Sequence, residues 1–239
     1  MNYFILFLLL CLIIFTSTIK LDKPKKTDVI SKEVIKQKNV QPKVEKKVKV
    51  SAKKKEFYSL LVPAIQKTHT KLMSEYISVL DDINSSKNLQ RVEKLKKEYK
   101  VNNNKELLAA LKPHPQSIVL AQAAIESAWG TSRFFNEANN VFGMWSANEN
   151  ELRIPAGEKR NGTKTIWLRK FNSVEDSIKA YYKLMATAQA YKEFRKVRFQ
   201  TDDPFTIVKE LNNYSELGSE YTQSISSVIK YNKLTQYDQ

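Results

Sequence analysis

The chain has 239 residues, room for one good-sized domain or two small ones with a real core. It carries 40 Lys+Arg against 25 Asp+Glu, but the excess is uneven: residues 20–56 hold 14 lysines and 5 acids, so +9 of the net +15 lies there. The imbalance is mostly a property of that stretch and implies no nucleic-acid groove. A single cysteine excludes an intrachain disulfide and a thiolate metal site, and two histidines leave little scope for a His-rich metal cluster or a Ser-His-Asp triad. Neither GxGxxG nor GxxxxGK[ST] occurs. Carboxylate, tyrosine and lysine remain for acid–base chemistry.

In chain order, residues 1–19 are uncharged and apolar from Tyr3 to Phe15. As a helix they would rise about 28 Å, near the thickness of a bilayer core. They lack a basic n-region and a good small-residue cleavage site, so they read as either an uncleaved anchor or a cleaved signal. Residues 20–55 are lysine-rich, lack aromatics and include Pro24 and Pro42, the composition of an extended basic linker.

From Glu56 the apolar spacing turns helical: Leu60, Leu61, Ala64 and Ile65, then Leu72, Met73, Tyr76, Ile77 and Leu80. Pro63 marks a helix start or a kink. Further helices are predicted over 86–100 and 103–111, completing a helical subdomain over 56–110. His114, between Pro113 and Pro115, reads as a loop residue. A helix over 116–129 follows, with Gly130 suited to its C′ position. Asn161-Gly162 ahead of "TKTIWLRKF" is the strongest hairpin signal in the chain. Ser173 with Asp176 opens a helix to about 190, Asp203-Pro204 starts another, and Ser219 to Tyr231 forms the last.

One carboxylate stands out. Glu126 lies in "AQAAIESAWG", surrounded by Ile118, Val119, Leu120, Ala123, Ala124, Ile125, Ala128 and Trp129. Such a helix is buried almost all round. Burial and the negative end of the helix macrodipole both disfavour a charged carboxylate, which suits a proton donor near neutral pH. The bland alternative is a structural glutamate capping a loop or pairing with Arg133. Four of the five glycines follow within a short window, giving a rigid helical floor a loop-borne wall. There "NNVFGMW", residues 139–145, offers paired amides and two aromatics, which fit either a sugar platform or ordinary core packing.

"LAQAAIESAWGTSRFFNEANNVFGMW", "LRKFNSVEDSIKAYYKLM" and "AYKEFRKVR", in that order, resemble the bacterial glucosaminidase family, glycoside hydrolase family 73, in its Bax-like branch. The resemblance covers about residues 110–235. It implies an α+β, mainly α, lysozyme-like catalytic domain over 111–239 with a small β-hairpin lobe. It also implies cleavage of β-1,4-linked N-acetylglucosamine in peptidoglycan, at the periplasmic face of the envelope, with no metal and no cofactor. By position Glu126 matches the family's catalytic acid. Tyr214, in "NNYSELGSEY", resembles the tyrosine that shapes the cleft. Glu158, close before Asn161-Gly162, is preferred over Glu149 and Glu151 as second carboxylate; alternatively the substrate's acetamido oxygen serves as nucleophile. Trp129, Asn140, Phe142, Gly143 and Trp145 are the expected substrate contacts.

Overall fold

The computed structural model describes residues 41–238 apart from 161–163, 213, 215 and 216, and gives the backbone alone for residues 41–51, 158–160 and 164. The expected anchor or signal over 1–19, and residues 20–40 of the expected linker, lie outside the described residues. Among the described residues no helix is long and apolar enough to cross a membrane.

The first described element is a 44-residue helix, α1, Gln41–Asn84. It corrects the reading of residues 41–55 as an extended linker. Their lysines, valines, alanine and one glutamate include no glycine, and extending an existing helix fixes one residue per hydrogen bond gained, whereas only nucleation is costly. Pro42 sits in the first turn, where a missing N–H is harmless, and Pro63 lies inside the helix rather than starting one. Phe57, Leu61 and Ile65 recur at four-residue steps and are buried in the main core.

Shorter helices follow: α2 Leu89–Tyr99, α3 Asn104–Leu111, α4 Gln116–Glu126 and α5 Arg133–Ala138. A two-stranded antiparallel sheet joins β1 Arg153–Arg160 to β2 Lys164–Arg169. Then come α6 Val174–Thr187, α7 Lys192–Gln200, α8 Pro204–Val208 and α9 Ser219–Tyr231. Among the described residues the fold is mainly α with one small sheet, an α+β arrangement. Its caps follow the sequence signals. Ser173 accepts from the Asp176 amide at 3.1 Å while its hydroxyl donates back to the Asp176 carboxylate at 2.8 Å. Asp203 accepts from the Thr206 amide at 2.9 Å, with Pro204 in the first turn.

The main core gathers the N-terminal part of α1, all of α4's apolar face, the loop after α5, and the buried faces of α6 to α9. A second cluster, with Val79, Val92, Leu95, Tyr99 and Leu107, joins the C-terminal part of α1 to α2 and α3 and reaches α6 at Ala186. Because α1 contributes to both, residues 56–110 are packed onto the rest of the body along its length. In the sheet, Arg153 pairs with Arg169 and Pro155 with Trp167, but the register slips between Pro155 and Lys159. Only Ile166 faces Ala156, Gly157 and Glu158, so the strand bulges there.

Candidate active site

Every residue of α4 except Ile125 is buried, including Gln122 and Glu126. The helix ends at Glu126, three residues short of the expected end at 129. Ser127 caps it, and the chain then turns through three successive left-handed residues, Ala128 (φ 49°), Trp129 (φ 58°) and Gly130 (φ 76°). Only Gly130 adopts such a φ freely. Ala128 and Trp129 each cost on the order of 1–2 kcal/mol. The turn is held by Trp129 N–H donating to the Ala124 carbonyl at 2.8 Å and by the Ser127 hydroxyl, which donates to Ala123 O at 2.6 Å and accepts from Gly130 N at 2.8 Å. Glu126 therefore sits on the last turn of a rigid helix, directly before a strained corner.

Glu126 as a whole residue is 8 % exposed. The Tyr221 hydroxyl, from α9, donates to Glu126 Oε1 at 2.7 Å. Burial first, and the neighbouring Glu126 carboxylate second, push the Tyr221 hydroxyl well above its ordinary value, so it stays protonated and remains a donor. Tyr221 stacks on Tyr214, with centroids 5.2 Å apart and planes within 4° of parallel, and Tyr214 stacks in turn on Tyr191 at 5.9 Å. A stack of three aromatic rings thus backs the tyrosine that meets the carboxylate. Burial, with Glu126 second, also raises Tyr191.

Of the two bland alternatives for Glu126, capping a loop amide or pairing with Arg133, the structure speaks to the second: Arg133 is engaged elsewhere. Arg133 donates to Glu137 at 3.0 Å and to the carbonyl of Pro155 at 2.6 Å. The second bond ties α5, just past the strained corner, to β1. Gly157 takes a φ of +93°, which glycine adopts freely, and lies near the Arg133 guanidinium, where an added Cβ would stand in ordinary contact at 3.8 Å. The hairpin is in this way anchored beside the segment that follows Glu126. Such an arrangement, a buried carboxyl on a helix end with a tyrosine donor and a tethered hairpin nearby, can deliver a proton to a leaving oxygen.

The profile of the glucosaminidase family, described as mannosyl-glycoprotein endo-beta-N-acetylglucosaminidase, matches residues 101–234, more than half of the chain. The chain belongs to the glucosaminidase family. Its match to this family of glycoside hydrolases takes in α4, the hairpin and all of α9, the elements that build the site. Protein bax of Escherichia coli (strain K12) is 32 % identical over 125 residues, which are 50 % of this chain and 43 % of that protein. The chain thus matches less than half the length of that relative. The catalytic domain of the autolysin Auto from Listeria monocytogenes superposes with a TM-score of 0.51 at 16 % identity, covering 84 % of this chain and 100 % of that one. A peptidoglycan hydrolase from Sphingomonas sp. A1 gives a TM-score of 0.42 at 22 % identity, over 56 % of this chain and 86 % of that chain. The likeness to Auto bears on the fold.

Within this family fold, the other expected site residues divide. Phe142 is wholly buried and stacks on Tyr181 at 4.0 Å, so packing, not a sugar platform, accounts for its ring. Asn140 is buried too. It donates to the carbonyls of Met144 and Arg169, each at 2.9 Å, and accepts from Met144 N–H at 2.8 Å, which staples the 139–145 loop to β2. The sequence reading of both as substrate contacts is corrected by this burial. Gly143 (φ +62°) makes the turn of that loop and has open space where a Cβ would stand. Trp145 is half-buried and bridges to Leu168 beside the hairpin. Trp129 points towards α1: its ring meets Phe57 at 5.5 Å and Tyr58 at 6.0 Å, with the Lys54 ammonium 4.1 Å from its centroid. It lines a cavity of about 280 Å³ there, which Glu126 does not border.

Glu149 is exposed, 3.7 Å from Arg153, and Glu151 pairs with Arg169 at 3.0 Å. The backbone of Glu158 lies in the β1 bulge, while its side chain lies outside the described residues. Tyr221 was missed in the sequence. Its signal was present: with Ile225 and Ile229 it recurs at four-residue steps on the buried face of α9. His114 is also more than a loop residue. It is completely buried and bonded to Tyr181 and Arg198.

Proposed function

We propose that this chain is a peptidoglycan hydrolase that cleaves β-1,4-linked N-acetylglucosamine bonds, with Glu126 as its general acid. The observation that carries this reading is Glu126 itself: 8 % exposed, on the end of α4, and bonded by Tyr221, in a chain of the glucosaminidase family. Glycoside hydrolysis requires a proton on the leaving oxygen as the bond to the anomeric carbon breaks. Glu126 gives that proton and a water oxygen ends on the anomeric carbon. The rigid helix end limits how far the carboxyl can stray, which is where much of the benefit of a positioned acid arises. The substrate places the catalytic body at the outer face of the cell membrane, with residues 1–19 as its attachment or export segment.

Glu158 is the proposed second carboxylate. A bulge beside a site re-aims a side chain, and the Arg133–Pro155 bond holds this bulge near the strained corner after Glu126. From there Glu158 would stabilise the positive charge that builds on the sugar in an oxocarbenium-like transition state. Trp145 and Gly143, on the loop bridged to β2, are the proposed sugar contacts, and Tyr214 shapes the wall behind Tyr221.

The test is a digest of purified peptidoglycan by the full chain, with masses of the soluble products. New reducing ends on N-acetylglucosamine support the reading. A 1,6-anhydro product would identify a lytic transglycosylase instead, and binding without release of fragments would identify a cell-wall binding protein.

A further inference from the structure

Behind Glu126 runs a continuous line of buried polar groups. Tyr221 donates to Glu126 Oε1 at 2.7 Å, and Gln122 Nε2 donates to the Tyr221 oxygen at 3.1 Å. The Tyr181 hydroxyl donates to Gln122 Oε1. His114 Nε2 meets the Tyr181 oxygen at 3.0 Å, and Arg198 Nη1 meets His114 Nδ1 at 3.3 Å. All six residues are at most 8 % exposed. Arg198 is itself fixed, donating through Nη2 to Ala109 O at 3.0 Å and Ala110 O at 2.8 Å.

The chemistry of one end dictates the direction of the whole line. A guanidinium has only donors, so His114 Nδ1 must accept. A neutral imidazole that accepts at Nδ1 carries its proton on Nε2, which must then donate to Tyr181. The Tyr181 hydroxyl, now an acceptor on that side, donates onward to Gln122 Oε1. That fixes the amide's orientation, with its NH₂ towards Tyr221, and leaves the Tyr221 proton for Glu126 Oε1. Burial, and next the adjacent Arg198 charge, pull His114 well below its ordinary value, so it stays neutral. Arg198, pulled down to about 9 by burial, remains cationic at neutral pH. Aligned bonds of this kind polarise one another.

We propose that Arg198 and His114 are remote positioning residues, which act through Tyr181, Gln122 and Tyr221 to hold Glu126 Oε1 as an acceptor and so assign the catalytic proton to the other carboxyl oxygen. This rests on the reading of Glu126 as a general acid. Among the described residues, the groups that feel the Glu126 charge include Tyr181 on α6, Tyr191 before α7 and Tyr221 on α9. Those around His114 are Tyr181, Tyr182, Arg198 and, on α1, His69. Cutting the line at Tyr181 frees the Gln122 amide to flip, and Tyr221 can then donate to Gln122 instead. Glu126 loses a donor that favours its charged form, holds its proton more tightly, and stays active as an acid to higher pH.

The experiment compares the full chain with Tyr181→Phe and Tyr182→Phe. Tyr182 packs on the same histidine ring, at 4.8 Å, but its buried hydroxyl has no hydrogen-bond partner among the described residues and stands outside the line. The alkaline limb of peptidoglycan hydrolysis is expected to move up by roughly half to one pH unit in Tyr181→Phe and to stay in place in Tyr182→Phe. A purely structural role would lower stability or activity in either variant without moving the limb, and that result overturns the proposal. A second readout needs no activity. The nitrogen NMR spectrum of the two-histidine wild-type chain should show His114 neutral and protonated on Nε2 from pH 5 to pH 8. An Nδ1-protonated or charged ring overturns the relay even in an active enzyme. A wild-type chain that leaves peptidoglycan intact refutes the general-acid reading, and with it the catalytic half of this proposal, while the NMR result still decides the direction of the line.

Discussion

Tyr221 and Glu126, 95 residues apart, meet through a 2.7 Å hydrogen bond between the last helix and the end of α4. The bond sets the orientation of the carboxyl, and the tyrosine ring keeps its place independently by stacking on Tyr214. Tyr221→Phe therefore separates chemistry from packing. It is expected to lower kcat on peptidoglycan at least tenfold. It should also lower stability by about 1–3 kcal/mol, because Gln122 Nε2 loses its acceptor. Steady-state kinetics beside urea unfolding checks both. Unchanged kcat would show that the bond has no part in orienting the acid.

Arg133 links the two sides of the proposed cleft. Its pair with Glu137 is exposed and worth little, so the bond to Pro155 O is the one with consequences. Arg133→Met should change the melting temperature only slightly while reducing turnover several-fold, because the hairpin loses its tether. Faster amide exchange over 153–157 in that variant is the direct check.

The sequence is legible where the signal is local: the burial of Glu126 in its apolar run, the Ser173 and Asp203 caps, the limits of α9 and strand β2 within "TKTIWLRKF" all rest on neighbours within a few positions. It is not legible where contacts are distant or context overrides composition. Tyr214 and Tyr221 lie in one motif, seven residues apart with Gly218 between them, and spacing alone does not say which hydroxyl reaches α4. His114 between two prolines reads as a loop until α6 and α7 close over it. The lysines of residues 41–55 argued for an extended chain, yet they continue a helix whose later turns are nucleated by the core.

Glu175 gives the fold an acid-sensitive contact between α1 and α6. Hydrogen bonds from Lys67, and next from Lys179, hold its carboxyl down to about 2. The folded value lies below the ordinary carboxylate value of about 4.3. Its contribution is therefore present above that pH and is lost as the pH falls towards 2. Glu175→Gln should flatten the loss of stability over that window in an acid titration at low salt, and high salt should shrink the difference because the lysines are exposed.

The carboxylates of the hairpin lobe can be ranked by substitution. Glu158→Gln is expected to lower kcat tenfold or more, on the order of 1.4 kcal/mol in barrier. Glu149→Gln and Glu151→Gln should be milder, since these two side chains sit against Arg153 and Arg169. Small and equal effects of all three would instead favour the substrate's acetamido oxygen as the nucleophile.

The central claim is that Glu126 is the general acid, and Glu126→Gln tests it most directly. Glutamine keeps the size of the side chain and can still accept from Tyr221, so the circular dichroism spectrum and melting temperature should stay close to wild type. Release of soluble fragments from peptidoglycan should fall by about 10²–10⁴-fold, the usual loss for a positioned proton donor. A folded Glu126→Gln chain that digests peptidoglycan at a rate near wild type would contradict the account.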